Sequence, residues 1–283
     1  MPPSGESTVL EFRDVCVYFG ETPALDHVSF SMSAGDSRIV FGVAGAGKTT
    51  LLKVALGLVK PDSGRVFVFG QDATDLNESA WFHLRARMGI LFQEGGLFDS
   101  MNIAENVAYP LVNQPALRER LGQNGQVDER VREALRFVEL EHTLEKFPSE
   151  LSGGMRRRVG IARAIVTEPP LLLYDSPTAG LDPITANTII NLIIKERDLR
   201  NAASILVTHR FQDGHLMADF RYNPDSGQIE TARHQSETAA HGGDEDRQVK
   251  TKFFVMNEGR LVFVGTRAEL RASQDPYVMK FAK

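Results

Sequence analysis

One cysteine, Cys16, stands in 283 residues, so no disulfide can close within the chain and no cluster of cysteines can hold a metal, which fits a reducing compartment. Positive charge is in the minority. The 32 Lys and Arg against 37 Asp and Glu leave a net charge of −5, which carries no basic footprint for nucleic acid. No apolar run reaches the roughly 18 residues that a membrane-spanning helix requires. The opening MPPSGESTVLEF lacks a charged start followed by an apolar run, so no signal peptide is expected. A chain of this kind serves a membrane only through a partner. What is present is ordinary for a globular protein: 42% apolar and 24% charged residues, enough for one large α/β domain or two small ones.

Residues 8–19 alternate and are rich in β-formers, and 27–32 continue that style, which predicts an opening antiparallel sheet. SRIVFG (37–42) reads as a buried strand entering a tight loop. KTTLLKVALGL (48–58) follows with apolar residues at helical spacing. Further strands are expected at 65–70, 88–93, 171–175 and 203–209, with helix over 76–90 and over most of 100–150. There Val131, Ala134, Leu135, Val138 and Leu140 keep helical spacing. Residues 221–250 are polar and acid-rich and predict a mobile insertion or loose hairpin. His234 and His241 lie in it and His215 nearby, but scattered loop histidines are no preformed ligand set. KFFVMNEGRLVFVG (252–265) reads as a hairpin turning at Asn257–Gly259.

GVAGAGKT (42–49) satisfies G-x-x-x-x-G-K-[ST] between a predicted strand and a predicted helix. Gly42, Val43, Ala44, Gly45, Ala46 and Gly47 form a loop whose backbone N–H groups can turn onto phosphates, and the following helix adds its positive end at Lys48, Thr49 and Thr50. The Lys48 ammonium suits the β and γ phosphates, and the Thr49 hydroxyl suits Mg²⁺. The apolar strand LLLYD (171–175) delivers Asp175 beside that loop, where a carboxylate can join the metal shell. The cofactors expected are ATP and Mg²⁺.

Further pieces stand in fixed order: LFQ (91–93), LSGGM (151–155), AGLD (179–182) and VTH (207–209). In this order and spacing the chain resembles the ATP-binding cassette family over essentially its whole length except 221–250. The resemblance implies an α/β fold: a P-loop NTPase core with an antiparallel β subdomain and an inserted helical subdomain at about 94–157, within one ATP-binding domain spanning 6–283. It implies that Tyr18 or Phe19 stacks on adenine and that Gln93 touches Mg²⁺ and the attacking water. It also implies that Ser152, Gly153 and Gly154 cap the γ-phosphate held by a second subunit, that Asp182 lies at the dimer seam, and that His209 contacts the γ-phosphate. Two ATP molecules are then sandwiched between two subunits, identical or not, head to tail. The expected partners are that second ATP-binding subunit and an integral-membrane permease, and the expected location is the cytoplasmic face of the membrane. Family members acting in translation or DNA repair usually carry two cassettes or a long coiled coil, and neither is here. Met155, the stretch LFQEGGLFDSMNIAENVAYPL (91–111) and DPIT (182–185) are most similar to the ATPase subunits of Mla/Mce-type phospholipid transporters. Leu97, Phe98, Met101 and Tyr109 are candidates for the permease-facing surface.

One departure matters. The family usually places glutamate after the strand-ending aspartate, and here Ser176 stands there. A serine hydroxyl has no basicity near neutral pH, and losing a positioned general base costs on the order of 10²–10⁴ in rate. Three readings stay open: a weakened or regulatory site paired with a competent subunit, a homodimer that hydrolyses slowly with His209 and Gln93 placing the water, or a relaxed or unnatural change.

Overall fold

The computed structural model describes residues 8–114, 124–232 and 251–282. β1 (Thr8–Phe19) and β2 (Thr22–Ser33) pair antiparallel, and β4 (Ser63–Val68) and β5 (Gln71–Asp72) extend them into a four-stranded sheet ordered β2-β1-β4-β5. Alternation explains the pairing: Leu10, Phe12, Val15 and Val17 are buried on one strand and Leu25, Val28 and Met32 on the other.

The second sheet has six strands: β3 (Ser37–Phe41), β6 (Met88–Leu91), β7 (Leu171–Asp175), β8 (Ala203–Val207), β11 (Thr251–Asn257) and β12 (Arg260–Gly265), ordered β12-β11-β3-β8-β7-β6. All pairs are parallel except the edge hairpin β11–β12. Every residue of β3, β7 and β8 is buried, as expected of parallel strands covered on both faces. The period of two sorts their side chains. Ile39, Phe41, Leu172 and Tyr174 join one apolar cluster, while Val40, Leu171 and Leu173 join the other, which continues into the first sheet.

α1 (Lys48–Ala55) lies between the sheets with Leu51, Leu52, Val54 and Ala55 buried. α2 (Glu78–Arg85) fills only the middle of the span expected to be helical, capped by the Asn77 side chain. α3 (Ile103–Val112) opens with a reciprocal box between Asn102 and Glu105. α4 (Asn124–Phe137) follows; of the five apolar positions expected to keep helical spacing, Val131, Ala134 and Leu135 lie in it and Val138 and Leu140 just past its end, and all five are buried. α5 (Gly153–Ile165) runs beyond the expected boundary at 157 because Val159, Ile161, Ala162 and Ile165 pack it into the main core.

α6 (Pro183–Arg200) and α7 (Phe211–Asp219) cover the sheet, and α8 (Arg267–Ala272) follows β12. The polar stretch expected as a mobile insertion or loose hairpin begins with a hairpin, β9 (Phe220–Asn223) with β10 (Gln228–Thr231). Backbone bonds the sequence does not advertise anchor it: Tyr222 N donates to Asp198 Oδ2 at 2.7 Å, and Arg197 Nη2 donates to Phe220 O at 2.9 Å. Residues 233–250, with His234 and His241, lie outside the described residues. Among the described residues, no helix is long and apolar enough to cross a membrane.

Candidate functional site

The carboxyl ends of β3, β7 and β8 lie side by side, and each leads into a loop carrying predicted chemistry. β3 runs into 42–47. Val43, Ala44 and Gly45 are exposed on the crest of that loop, Ala46 is buried, and Gly47 caps α1. Gly47 holds φ at 101°, and a Cβ there would meet Ala24 O at 2.3 Å, so only glycine fits where the loop turns into the helix. Lys48 Nζ donates to Gly42 O and Val43 O at 2.8 Å each, folding its ammonium over the loop. Burial lowers the Lys48 pKa, and the charge of Asp175 opposes this.

Asp175 ends β7 and is buried, and Thr49 Oγ1 donates to its Oδ2 at 3.2 Å. The hydroxyl and carboxylate predicted to share a metal ion are therefore in contact across 126 residues of sequence. Ser176 follows at φ 49°, with its N–H on Val207 O at 2.9 Å and its hydroxyl on Asp175 Oδ1 at 3.3 Å. His209 stands exposed just past β8, and Thr50 is half-buried in α1.

Gln93 is exposed in the loop after β6. Its carbonyl accepts from Arg157 Nε at 2.8 Å, and Arg157 Nη2 also donates to Ala179 O, so α5 ties this loop to the one following Ser176. Arg163 holds Gly95 O at 3.0 Å, and buried Asn106 brackets Phe98 through its backbone N and O at 2.8 and 3.0 Å. Of the four candidate permease-facing residues, Phe98 is exposed at 40% while Leu97, Met101 and Tyr109 are half-buried. Phe98 rests on the Tyr109 ring at 4.7 Å.

Tyr18 and Phe19 are exposed side by side at the end of β1. Ser152 caps α5 by accepting from Met155 N at 3.2 Å. Gly153 is open, with nothing nearer to a Cβ than Leu181 Cδ2 at 4.0 Å. Gly154 is buried, and a Cβ there would lie 2.4 Å from Thr185 Cγ2, so the approach of α5 to Thr185 requires this glycine. Asp182 accepts from Ile184 N and Thr185 N at 3.0 Å each, and its hydrogen bonds to Thr185 lower its pKa. The Ser152 turn and the phosphate loop each satisfy their own polar groups locally, Ser152 on Met155 N and Lys48 on Gly42 O.

Sequence reasoning missed two residues. Asp213, fully buried in α7, accepts from Thr178 Oγ1 at 2.5 Å and from Thr208 Oγ1 at 2.8 Å, clamping the loop after Ser176 to the residue before His209. Tyr277 reaches the phosphate loop: its hydroxyl accepts from Val43 N at 3.3 Å and donates to Met256 O at 2.9 Å. No local pattern signals either residue, since each acts across a long sequence gap.

This arrangement of loops matches known proteins. The ABC transporter family profile covers residues 25–179. Over 226 residues the chain is 38% identical to the methionine import ATP-binding protein MetN of Corynebacterium jeikeium, covering 78% of this chain and 60% of that protein. Over 210 residues it is 33% identical to the "Probable ribonucleotide transport ATP-binding protein mkl" of Mycobacterium leprae, covering 74% and 59%. It thus spans about 60% of the length of these curated relatives. The solved structure of CbiO1 from Clostridium perfringens, part of the transporter complex CbiONQ, superposes with a TM-score of 0.73 at 26% identity, over 95% of this chain and 92% of that one. With the phosphate loop, the Asp175 strand and the LSGGM helix start in one fold, the chain belongs to the ABC transporter family.

Proposed function

We propose that this chain binds MgATP and couples its hydrolysis to a membrane transporter, working at the cytoplasmic face of the membrane beside a permease. The observation that carries this reading is the meeting of Lys48, Thr49 and Asp175 at the carboxyl edge of the parallel sheet. Loop amides and the α1 N-terminus receive the phosphates. Lys48, now held by two carbonyls, exchanges them for phosphate oxygens. The hydroxyl of Thr49 and the carboxylate of Asp175 are hard oxygen donors already in contact, so they fit Mg²⁺ and would hold it. The ion supplies charge neutralisation on the transferring phosphoryl group. Tyr18 and Phe19 offer exposed rings for adenine, while Gln93 and His209 position the water. Ser152, Gly153, Gly154 and Asp182 serve the site of a second subunit, a role supported by the exposure of Ser152 and Asp182 at the starts of α5 and α6 and by the open space at Gly153. Because Ser176 lacks basicity, hydrolysis is slow and the ATP-bound dimer long-lived.

Isothermal titration with ATP and Mg²⁺ tests this reading. Micromolar-class binding is expected in the wild type and none in Lys48→Ala. Absence of binding in the wild type would end the transport reading.

On cargo, the MetN relatives, which match about three quarters of the chain, favour methionine, while the mkl relative is named for ribonucleotide transport. A second reading, phospholipid, rests on the similarity of residues 91–111 and of Met155 to Mla/Mce-type ATPases. ATPase stimulation in the co-purified, reconstituted complex separates the two: methionine stimulates in the first case, a phospholipid acceptor in the second.

A further inference from the structure

Away from the phosphate loop, the β1–β2 pair gathers a second set of chemically distinctive side chains. Cys16 Sγ, a carboxylate oxygen of Asp26 and a ring nitrogen of His27 all lie within 4.8 Å of one another. None of them has a part in the ATP chemistry above.

The histidine is oriented from behind. Its Nδ1 is 2.8 Å from Asp14 Oδ1, a hydrogen bond that fixes the tautomer and leaves Nε2 with its lone pair outward. Nε2 is 3.7 Å from Asp26 Oδ1, too far for a hydrogen bond. Two ligands of one tetrahedral cation, each about 2.1 Å from it, stand roughly 3.4 Å apart. Asp26 is oriented too: Arg260 Nε donates to its Oδ2 at 2.6 Å, which leaves Oδ1 facing the imidazole. The sulfur accepts from the His27 backbone N–H at 3.3 Å, which holds it beside the histidine. Cys16 is only 2% exposed and the Asp26 side chain 12%, so two of the three donors are shielded from water.

The backbone bends to make this arrangement. Asp14 and His27 hold φ at 54° and 53°, a region that non-glycine residues occupy at a cost. β1 also shifts register on either side of Val15, which turns the neighbouring side chains. A simple surface ion pair would account for His27 with Asp14. Extended to Asp26 it would account for Nε2 facing Oδ1, but not for a shielded sulfur within 4.8 Å of both side chains.

We propose that Cys16, Asp26 and His27 form a mixed sulfur, oxygen and nitrogen site for a divalent cation of the zinc class, with Asp14 as the carboxylate behind the histidine. Three protein ligands leave a fourth position for water. The site lies two residues from Tyr18. It also connects to the phosphate loop, since Asp26 N donates to Gly259 O at 2.9 Å and Gly259 N to Ala46 O at 3.2 Å. A bound cation there braces the strand pair that carries the aromatic turn.

Anaerobic titration of the reduced, chelator-stripped, tag-free full chain with Co²⁺, without nucleotide, tests the site. The expected result is one equivalent bound, with a thiolate-to-cobalt charge-transfer band and the intense visible bands of four-coordinate cobalt, both reversed by Zn²⁺. Cys16→Ser should remove the charge-transfer band, and His27→Ala should lower affinity at least tenfold. Asp14→Asn should lower it about 10–100-fold, as for other groups behind a ligating histidine. His27 is exposed, so its variant folds even if the cysteine variant does not, as circular dichroism will show. A folded wild type without the charge-transfer band overturns the proposal, as does unchanged affinity in His27→Ala.

Discussion

Ser176 follows Asp175, and on the proposed function a carboxylate there would polarise the attacking water. Its left-handed φ of 49° and its N–H bond to Val207 O fix the backbone, so a longer side chain would start from the same place. Ser176→Glu is therefore expected to raise steady-state ATP turnover by on the order of 10²-fold with little change in nucleotide affinity. Equal turnover in the two proteins would show that the serine is not limiting. Asp213 acts at the same scale, though it touches no substrate position. Its carboxylate joins Thr178 to Thr208, so it sets the spacing between the loops bearing Ser176 and His209. Asp213→Asn keeps the volume and replaces one acceptor oxygen with an NH₂ donor. It should lower kcat several-fold more than it changes the KM for ATP, and a KM effect alone would reduce Asp213 to a packing residue.

The long helix α6 carries a titratable group in its buried face. Glu196 is fully buried behind Tyr174 on the Asp175 strand, and burial raises its pKa to about 7, with Arg200 at 3.2 Å partly opposing. The unfolded chain releases this proton near the ordinary glutamate value, so between there and about pH 7 the folded state holds more protons than the unfolded one. Stability accordingly falls as pH rises through that window and levels off above it. The full effect is on the order of 3 kcal/mol for a shift of this size. Glu196→Gln should flatten that slope and stabilise the protein at pH 8, read as denaturation midpoints from pH 5 to 8. A slope unchanged by the substitution would assign the titration to another group.

At the scale of the whole molecule, the proposed function makes the phosphate loop and the Ser152 turn complementary halves of a site shared by two subunits. Gly153 tests this because the chain itself makes no demand on it. A Cβ there meets nothing closer than 4.0 Å, and an acidic side chain in the first turn suits the helix dipole. Gly153→Glu should fold and bind MgATP as one subunit. Placed against a partner's γ-phosphate, the added carboxylate should abolish ATP-driven dimerisation, measured by light scattering after size exclusion. A variant that still dimerises with ATP would place the interface elsewhere.

The local sequence was sufficient for whatever depends on a short stretch of chain. GVAGAGKT, LLLYD and LSGGM each contain the glycines, apolar run or capping residue that their conformation needs, so loop, strand and helix start were legible before any fold was known. The spaced apolar residues Val131, Ala134 and Leu135 of α4 were legible for the same reason, since a 3.6-residue period is a local property. The meeting of Thr49 with Asp175 was already legible in their motifs, but tertiary structure alone decided that Asp213 ties Thr178 to Thr208, that Tyr277 touches Val43, and that Asp14, Cys16, Asp26 and His27 converge. Such contacts follow from strand order and register, which the packing of both sheet faces selects and no single stretch of chain encodes.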